Sequence, residues 1–255
     1  MKVYIDGCLY DESEAKISVF DHGLLYGDGV FEGLRIYGGR LFRPELHIAR
    51  LQQGAKVIQL DVPWTSDEMI DIICQVACEN GFTDKDGYCR LVVTRGKGNL
   101  GLDPRACPKP SLIVIVSTIK LYPEEDYQNG LALMTTAVRR NSAESCPPQV
   151  KSLNYMNNIL AKLEANRYGA KEAVFLNHLG YVAEATADNI FIVKNGKVLT
   201  PPVIAGALPG ITRYSVLQLA ADLEIPTEER NMLLIDLYGA DECFLTGTAA
   251  KVVPV

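Results

Sequence analysis

The spacing of apolar residues changes several times along the chain, and each change predicts an element. At the start, "VYIDGCLY" sets Asp6-Gly7 between two short apolar runs, and "LRIYGGRLF" repeats the arrangement around Gly38-Gly39. A pair of turn residues between such runs predicts a β-hairpin at each place. From Pro44 to Val57 the period lengthens: Leu46, Ala49, Leu51 and Val57 return at roughly helical spacing, which predicts a helix. Thr65 followed three residues on by Glu68 is a capping-box pattern, and it predicts a second helix that ends at Asn80-Gly81. Strands follow at "YCRLVVTR" and "SLIVIVST".

The polar stretch "KLYPEEDYQNG" then breaks the pattern and reads as a linker. After it come a strand at "LALMTTAV", a helix beyond Lys151, a strand at "EAVFLN" and a hairpin "IFIVKNGKVLT" turning at Asn195-Gly196. A helix from about Thr212 to Glu224 follows, and a last strand, "ECFLTG", leads into "TAAKVVPV". No segment repeats and none is of low complexity. The pattern predicts an α+β (mixed α/β) chain of two domains, residues 1–120 and 132–255, joined by a linker over 121–131.

Composition narrows what such a chain does. With 255 residues, 48% of them hydrophobic, it can bury a sizeable core. A net charge of -6 argues against a basic nucleic-acid surface, so an acidic ligand has to be met by a local positive group. No segment is long and apolar enough for a signal peptide or a bilayer span, which leads us to expect no membrane partner and a cytoplasmic protein. The seven cysteines are scattered without a CxxC pair, as in a reduced compartment. Cys74 and Cys78 share a helix face, but two thiols do not make a zinc site, and no carboxylate and histidine spacing suggests another metal.

One motif invites a specific function. "GKGNLG" fits the GxGxxG spacing of a dinucleotide-binding turn, which would make the chain an NAD(P)-dependent dehydrogenase. That turn works only where a helix follows at once and aims its first amides at the pyrophosphate. Here "LDPRACPKP" follows, with prolines at 104, 108 and 110, so these glycines read better as a mobile loop.

Lys151, in "KSLNYMNNILAK", is by spacing alone best read as a solvated lysine at a helix edge. Its neighbours across the chain change that reading. "FDHGLLYGDGVFEG" (20–33), "HIARL" (47–51), "YCRLVVTRGKGNLGLDP" (88–104), "KSLNYMNNILAK" (151–162), "VAEATADNIFIV" (182–193), "ALPGITR" (207–213) and "GTAA" (247–250) occur in this order over nearly the whole chain. Together they resemble the class IV aminotransferases, the fold type IV pyridoxal phosphate family, and within it most of all the branched-chain amino acid aminotransferases.

The resemblance implies a smaller N-terminal α/β domain and a larger C-terminal domain, a mixed-sheet pseudo-barrel that binds pyridoxal 5'-phosphate. It makes Lys151 the Schiff-base lysine, whose amine also moves the substrate's proton. Tyr155 would hydrogen-bond the cofactor's phenolate oxygen, and Glu184 would hold a proton on the pyridine nitrogen. Leu208 would pack on the ring, while Arg50, Thr212, Thr248 and the amides of Ile211 and Thr212 would hold the phosphate. Tyr88 and Arg90, two apart on a strand and so on one face, would meet the side-chain carboxylate of glutamate. Phe31 and Tyr26 would form the apolar wall and phenolic rim of the same pocket. The amides of Thr248 and Ala249 would take the α-carboxylate, and Leu102 would reach a partner subunit's site in a homodimer or a higher oligomer of dimers.

The activity so implied moves an amino group between L-leucine, L-isoleucine or L-valine and 2-oxoglutarate by a ping-pong route. A D-amino acid aminotransferase or an aminodeoxychorismate lyase of the same fold is the alternative. Two departures stand out. Ala185 and Ala187 occupy positions where the family usually has glycine, and the match stops at Val255, short of the family's usual C-terminal end.

Overall fold

The computed structural model describes residues 1–255 and divides them into two units, Met1–Ile119 with Val150–Asn154, and Lys120–Gln149 with Tyr155–Val255. The first unit contains β1 (Lys2–Ile5), β2 (Cys8–Asp11), α1 (His22–Tyr26), β3 (Gly29–Tyr37), β4 (Arg40–Leu41), α2 (Pro44–Val57), α3 (Ser66–Glu79), β5 (Gly87–Thr94) and β6 (Ser111–Ser117). Its strands form one six-stranded sheet in the order β2-β1-β6-β5-β3-β4, antiparallel throughout. The two-residue turns close the hairpins as their sequences require: Asp6 and Gly7 have φ of 49° and 99°, Gly38 and Gly39 of 51° and 80°. Thr65 caps α3 through a full capping box with Glu68.

Alternation along the strands divides this sheet into two faces. Cys89, Leu91 and Val93 of β5 and Leu112, Val114 and Val116 of β6 are fully buried, and they pack on Ile48, Leu51, Met69, Ile73 and Val76 of α2 and α3. Each such side chain stabilises the unit by roughly 1.5–3 kcal/mol, so this one face holds the unit together. The other face carries Tyr88, Arg90 and Val92, all only half-buried.

The second unit contains α4 (Glu124–Asn129), β7 (Leu133–Thr135), α5 (Met156–Arg167), β8 (Glu172–Leu176), β9 (Val182–Ala185), β10 (Asn189–Lys194), β11 (Lys197–Thr200), α6 (Ile211–Asp222), β12 (Thr227–Glu229), α7 (Leu234–Tyr238), β13 (Glu242–Gly247) and β14 (Lys251–Pro254). The strands make a five-stranded sheet, β12-β11-β10-β13-β14, and a three-stranded one, β7-β8-β9. One core joins them, with Val174, Leu176 and Val182 from the smaller sheet and Ile190, Ile192, Leu199 and Leu245 from the larger.

Two boundaries differ from the sequence reading. Residues 121–131, expected as a linker, are folded into the second unit: Tyr122 and Leu131 are buried in its core, and α4 lies between them. Glutamates and an aspartate in the first turn and Gly130 at the end favour that helix, so the polarity that suggested a linker is the solvated side of a helix. The segment carrying Lys151, expected in the C-terminal domain, groups with the first unit instead. It pairs along β3, where Phe31 N donates to Lys151 O at 2.9 Å and Leu153 N to Gly29 O at 3.0 Å.

Candidate active site

In the first unit, pairing with β3 fixes Lys151 beside Phe31. The Lys151 ammonium lies 4.5 Å from the Phe31 ring centroid, and the Arg90 guanidinium lies 4.6 Å from the same centroid. Phe31 itself is buried. Arg90 also reaches Tyr88, donating from Nη2 to Oη at 3.4 Å, as their shared strand face requires. The cross-strand partner of Arg90 on β3 is Gly33, and the absence of a side chain there is what admits the phenol. A Cβ on Gly33 would stand 2.1 Å from Tyr88 Oη. Lys151, Phe31, Tyr88 and Arg90 therefore form one cluster, an amine and a guanidinium on an aromatic floor with a phenol at the edge.

Arg50 belongs to a second cluster in this unit, one the sequence did not reveal. Its Nε and Nη2 donate to Glu32 at 2.7 and 2.9 Å, and His47 Nδ1 lies 2.7 Å from the same carboxylate. Glu32 and His47 are completely buried. Burial would raise the Glu32 carboxyl, but the charge of Arg50 and the hydrogen bonds from His47 and Arg50 outweigh it and hold the group down at about 2. The ionised glutamate takes Nε and Nη2 of the guanidinium, which fixes the orientation of Arg50. His47 Nε2 has no partner.

The second unit centres on Glu184, buried in β9. Its Oε1 accepts from Arg140 Nη2 at 2.8 Å, while Oε2 accepts from the amide of Leu208 at 2.8 Å and from Asn189 Nδ2 at 3.1 Å. Asn189 Nδ2 also donates to Leu208 O at 2.9 Å, which ties the acid to the turn that opens α6. Gly210 is the N-cap of that helix, and no side chain caps it. The turn passes so close to Asn189 that a Cβ on Gly210 would fall 2.0 Å from Asn189 Oδ1. An uncapped helix start directs its first amides outward and favours an anion, and Ile211 and Thr212 are the residues that supply them. Asn189 pairs with Thr246 across β10 and β13, and the turn with Thr248 and Ala249 follows directly. Tyr155 is the N-cap residue of α5.

Of the residues singled out in the sequence, the structure thus joins Phe31, Tyr88, Arg90 and Lys151 in one unit, and Glu184 with Leu208 in the other. Tyr26 and Leu102 have other surroundings. Tyr26 Oη donates to Leu100 O at 2.5 Å, and His22 Nε2 lies 2.8 Å from Asn99 O. The glycine-rich segment, expected as a mobile loop, is therefore pinned at two carbonyls, and only a 3₁₀ turn at Pro104–Ala106 follows it. That lack of a following helix removes the dinucleotide reading. Leu102, on the same segment, is 79% exposed. Ala185 and Ala187 do not adopt positive φ, so alanine is accepted at both without strain. Glu32, Arg140 and Asn189 went unread. For Glu32 a signal existed, because a charge in the middle of the strand "VFEGLRI" has to find a buried partner.

The donor set fits pyridoxal phosphate on its own chemistry. A buried carboxylate held by an arginine suits a protonated ring nitrogen, and the uncapped first amides of α6 suit a phosphate. Comparisons with known proteins agree. The family described as Amino-transferase class IV matches residues 29–255. A Methanocaldococcus jannaschii protein provisionally named a branched-chain-amino-acid aminotransferase is 51% identical over 255 residues, covering 100% of this chain and 87% of that protein. The crystal structure of the Thermoproteus uzoniensis branched-chain aminotransferase with norvaline superposes with a TM-score of 0.94 at 39% identity, covering 100% of this chain and 86% of that one. The Escherichia coli branched-chain amino acid aminotransferase gives 0.96 at 33% identity, covering 100% and 85%.

Proposed function

The chain belongs to the class IV aminotransferases, and from that premise we propose that it moves the amino group between branched-chain L-amino acids and 2-oxoglutarate, with pyridoxal 5'-phosphate as cofactor and by a ping-pong route. The observation that carries the site assignment is Glu184, a buried carboxylate bonded directly to the turn that opens α6. When bound, pyridoxal phosphate supplies an electron sink for the charge left at the substrate's Cα.

The chain's own residues do the rest. Lys151 Nζ takes the proton from Cα, and the Phe31 ring beneath it limits how the amine can turn. Glu184, paired with Arg140, would hold a proton on the ring nitrogen. Tyr155 would donate to the phenolate oxygen, and Leu208 would pack on the ring. The amides of Ile211 and Thr212, the hydroxyls of Thr212 and Thr248, and the Arg50 guanidinium would hold the phosphate. Thr248 and Ala249 present amides to the substrate's α-carboxylate.

Substrate choice follows from the first cluster. Phe31 offers branched side chains an apolar surface, and Arg90 with Tyr88 offers a charge and a hydroxyl to the second carboxylate of glutamate. Because Arg90 rests on the Phe31 ring, a hydrocarbon side chain meets the ring and the guanidinium keeps an aromatic partner. Tyr26 and Leu102 belong to the rim of this pocket, Leu102 in the site of a second copy. Met156, Ile159, Leu160 and Leu163 form an exposed apolar stripe on α5, a further surface for a second copy to cover in a homodimer. No helix is long and apolar enough to cross a membrane. We place the enzyme in the cytoplasm, where its free cysteines stay reduced.

The test is to offer each branched-chain L-amino acid, and its D-enantiomer, with 2-oxoglutarate and to determine the chirality of the glutamate formed. L-glutamate from the L-substrates is expected; D-glutamate, or none, overturns the reading. Borohydride reduction followed by peptide mass mapping checks the lysine, and a pyridoxyl group on any residue but Lys151 removes the assignment.

A further inference from the structure

Arg140 makes more bonds than one ion pair with Glu184 requires. Besides the 2.8 Å contact to Glu184, its Nη1 donates to Asn157 Oδ1 at 3.1 Å and to Asn158 Oδ1 at 3.2 Å, both in the first turn of α5. Its Nε donates to Gly206 O at 3.2 Å, and the guanidinium lies 5.3 Å from the Phe175 ring centroid on β8. Asn158 continues the network, donating from Nδ2 to Thr186 O at 2.6 Å on the turn just past β9. Asn157 Nδ2 donates to Arg139 O at 2.8 Å, which holds the backbone next to Arg140 itself. The fork of one buried side chain therefore reaches β9, the start of α5, β8 and the segment before α6.

We propose that Arg140 is a positioning residue: it locks the Glu184 carboxylate to the first turn of α5, so that Glu184 and Tyr155 keep a fixed relation. The inference rests on the functional reading above, in which these two residues meet the ring nitrogen and the phenolate oxygen of one cofactor. A buried ion pair alone is weak support for such a role, because its Coulomb gain is largely offset by desolvation. The bonding pattern is what carries it. Nε, Nη1 and Nη2 are each committed to protein acceptors, so Arg140 acts on the ligand only through Glu184 and α5. Lysine could supply the charge, but a single ammonium cannot bond Glu184, both asparagines and Gly206 together.

The experiment compares the protein with its R140K, R140Q, E184Q, R140Q/E184Q and Asn158→Leu variants. Each apo-protein is titrated with pyridoxal 5'-phosphate, reading the absorption of the bound form, and its thermal unfolding is recorded separately. R140Q and E184Q are each expected to weaken binding by about 10- to 100-fold, the range set by losing one charge-assisted hydrogen bond. The double variant is expected to bind no worse than the weaker single one, because both remove the same function. The absorption maximum should move in the same direction in R140Q as in E184Q, and R140K should not restore either quantity. If R140Q does not fold, Asn158→Leu decides: it should weaken binding in the wild-type background and have no effect alongside E184Q. Additive losses, an unmoved maximum in folded R140Q, or full restoration by R140K overturns the proposal. Failure of the functional reading would look different, since the unmutated protein would then take up no pyridoxal phosphate.

Discussion

Both units bury an arginine–glutamate pair, but the roles within the pair are exchanged. In the first unit Glu32 is sealed at 0% side-chain exposure and Arg50 keeps 9%, so the acid is the holder and the base is what the unit presents. In the second unit Arg140 and Glu184 are equally buried, each side chain 6% exposed, and Arg140 is enclosed by Glu184, two asparagines, a backbone carbonyl and an aromatic ring, so there it is the base whose bonds tie several elements together. In the proposed function the exchange matches the ligand's chemistry, since a phosphate calls for a guanidinium and a protonated ring nitrogen for a carboxylate. A single ion pair does not by itself distinguish its members; the further hydrogen bonds decide which of them ties neighbouring elements together.

The first pair is the more exposed to damage, because its holder is also the stabiliser of a second buried group, His47. Glu32→Ala would leave Arg50 and His47 buried without their acceptor. A loss of about 3–5 kcal/mol is expected, as when one partner of a buried pair is removed, and urea unfolding measures it. A loss below about 1 kcal/mol would mean that water or a rotated Arg50 replaces the acid, and that the pair does not hold the arginine.

Acid should expose the same asymmetry without mutation. The folded Glu32 carboxyl lies at about 2, below its ordinary 4.5, so its contribution is complete above pH 4.5 and is lost as pH falls toward 2. A shift of that size corresponds to about 3 kcal/mol at neutral pH. Unfolding free energy measured from pH 5 to pH 2 should fall by that order in the native protein. In a variant lacking Glu32 the decline should be visibly shallower, and an equal decline in both would assign acid sensitivity to other carboxylates.

How far the sequence showed these arrangements depended on distance along the chain. The Thr65–Glu68 capping box, the helix at Pro44–Val57 and the turns at Asp6-Gly7, Gly38-Gly39 and Asn195-Gly196 were all readable, since each depends on residues within a turn or two of one another. Tyr88 and Arg90 were readable as a pair for the same reason, being neighbours on one strand face. The holders were not. Glu32 and Arg50 are 18 residues apart and Arg140 and Glu184 are 44 apart, and only the folded chain joins them. Helix α4 was missed for a different reason: its acidic first turn looks like a linker unless the burial of Tyr122 and Leu131 on either side is known.

Breaking the second pair at its acid separates chemistry from stability. Glu184→Gln keeps the size and one acceptor oxygen but removes the charge that, in the proposed function, would hold the ring nitrogen's proton. Turnover with L-leucine should fall by at least about 100-fold, the low end of what a positioned acid–base group contributes. The same variant should lose less stability than Glu32→Ala, because Arg140 keeps its asparagine and carbonyl acceptors. Turnover within a few-fold of the native enzyme would remove Glu184 from the mechanism.

The smallest expected effect tests the presented surface of the first unit rather than its holder. Gly33 lies across from Arg90, and a methyl group there would stand 2.1 Å from Tyr88 Oη, so Gly33→Ala must turn the phenol aside. Arg90 would then lose its 3.4 Å contact to that hydroxyl but keep its place on the Phe31 ring. A substrate that needs the phenol should suffer, and one that needs only the ring should not. For glutamate, kcat/KM should drop by about tenfold, the value of one hydrogen bond to a charged group, while leucine stays within about threefold. Glutamate and leucine falling together would mean that the phenol shapes the whole pocket instead of recognising the carboxylate. Unchanged values for both would place the carboxylate's recognition away from Tyr88 and leave Arg90 alone to meet it.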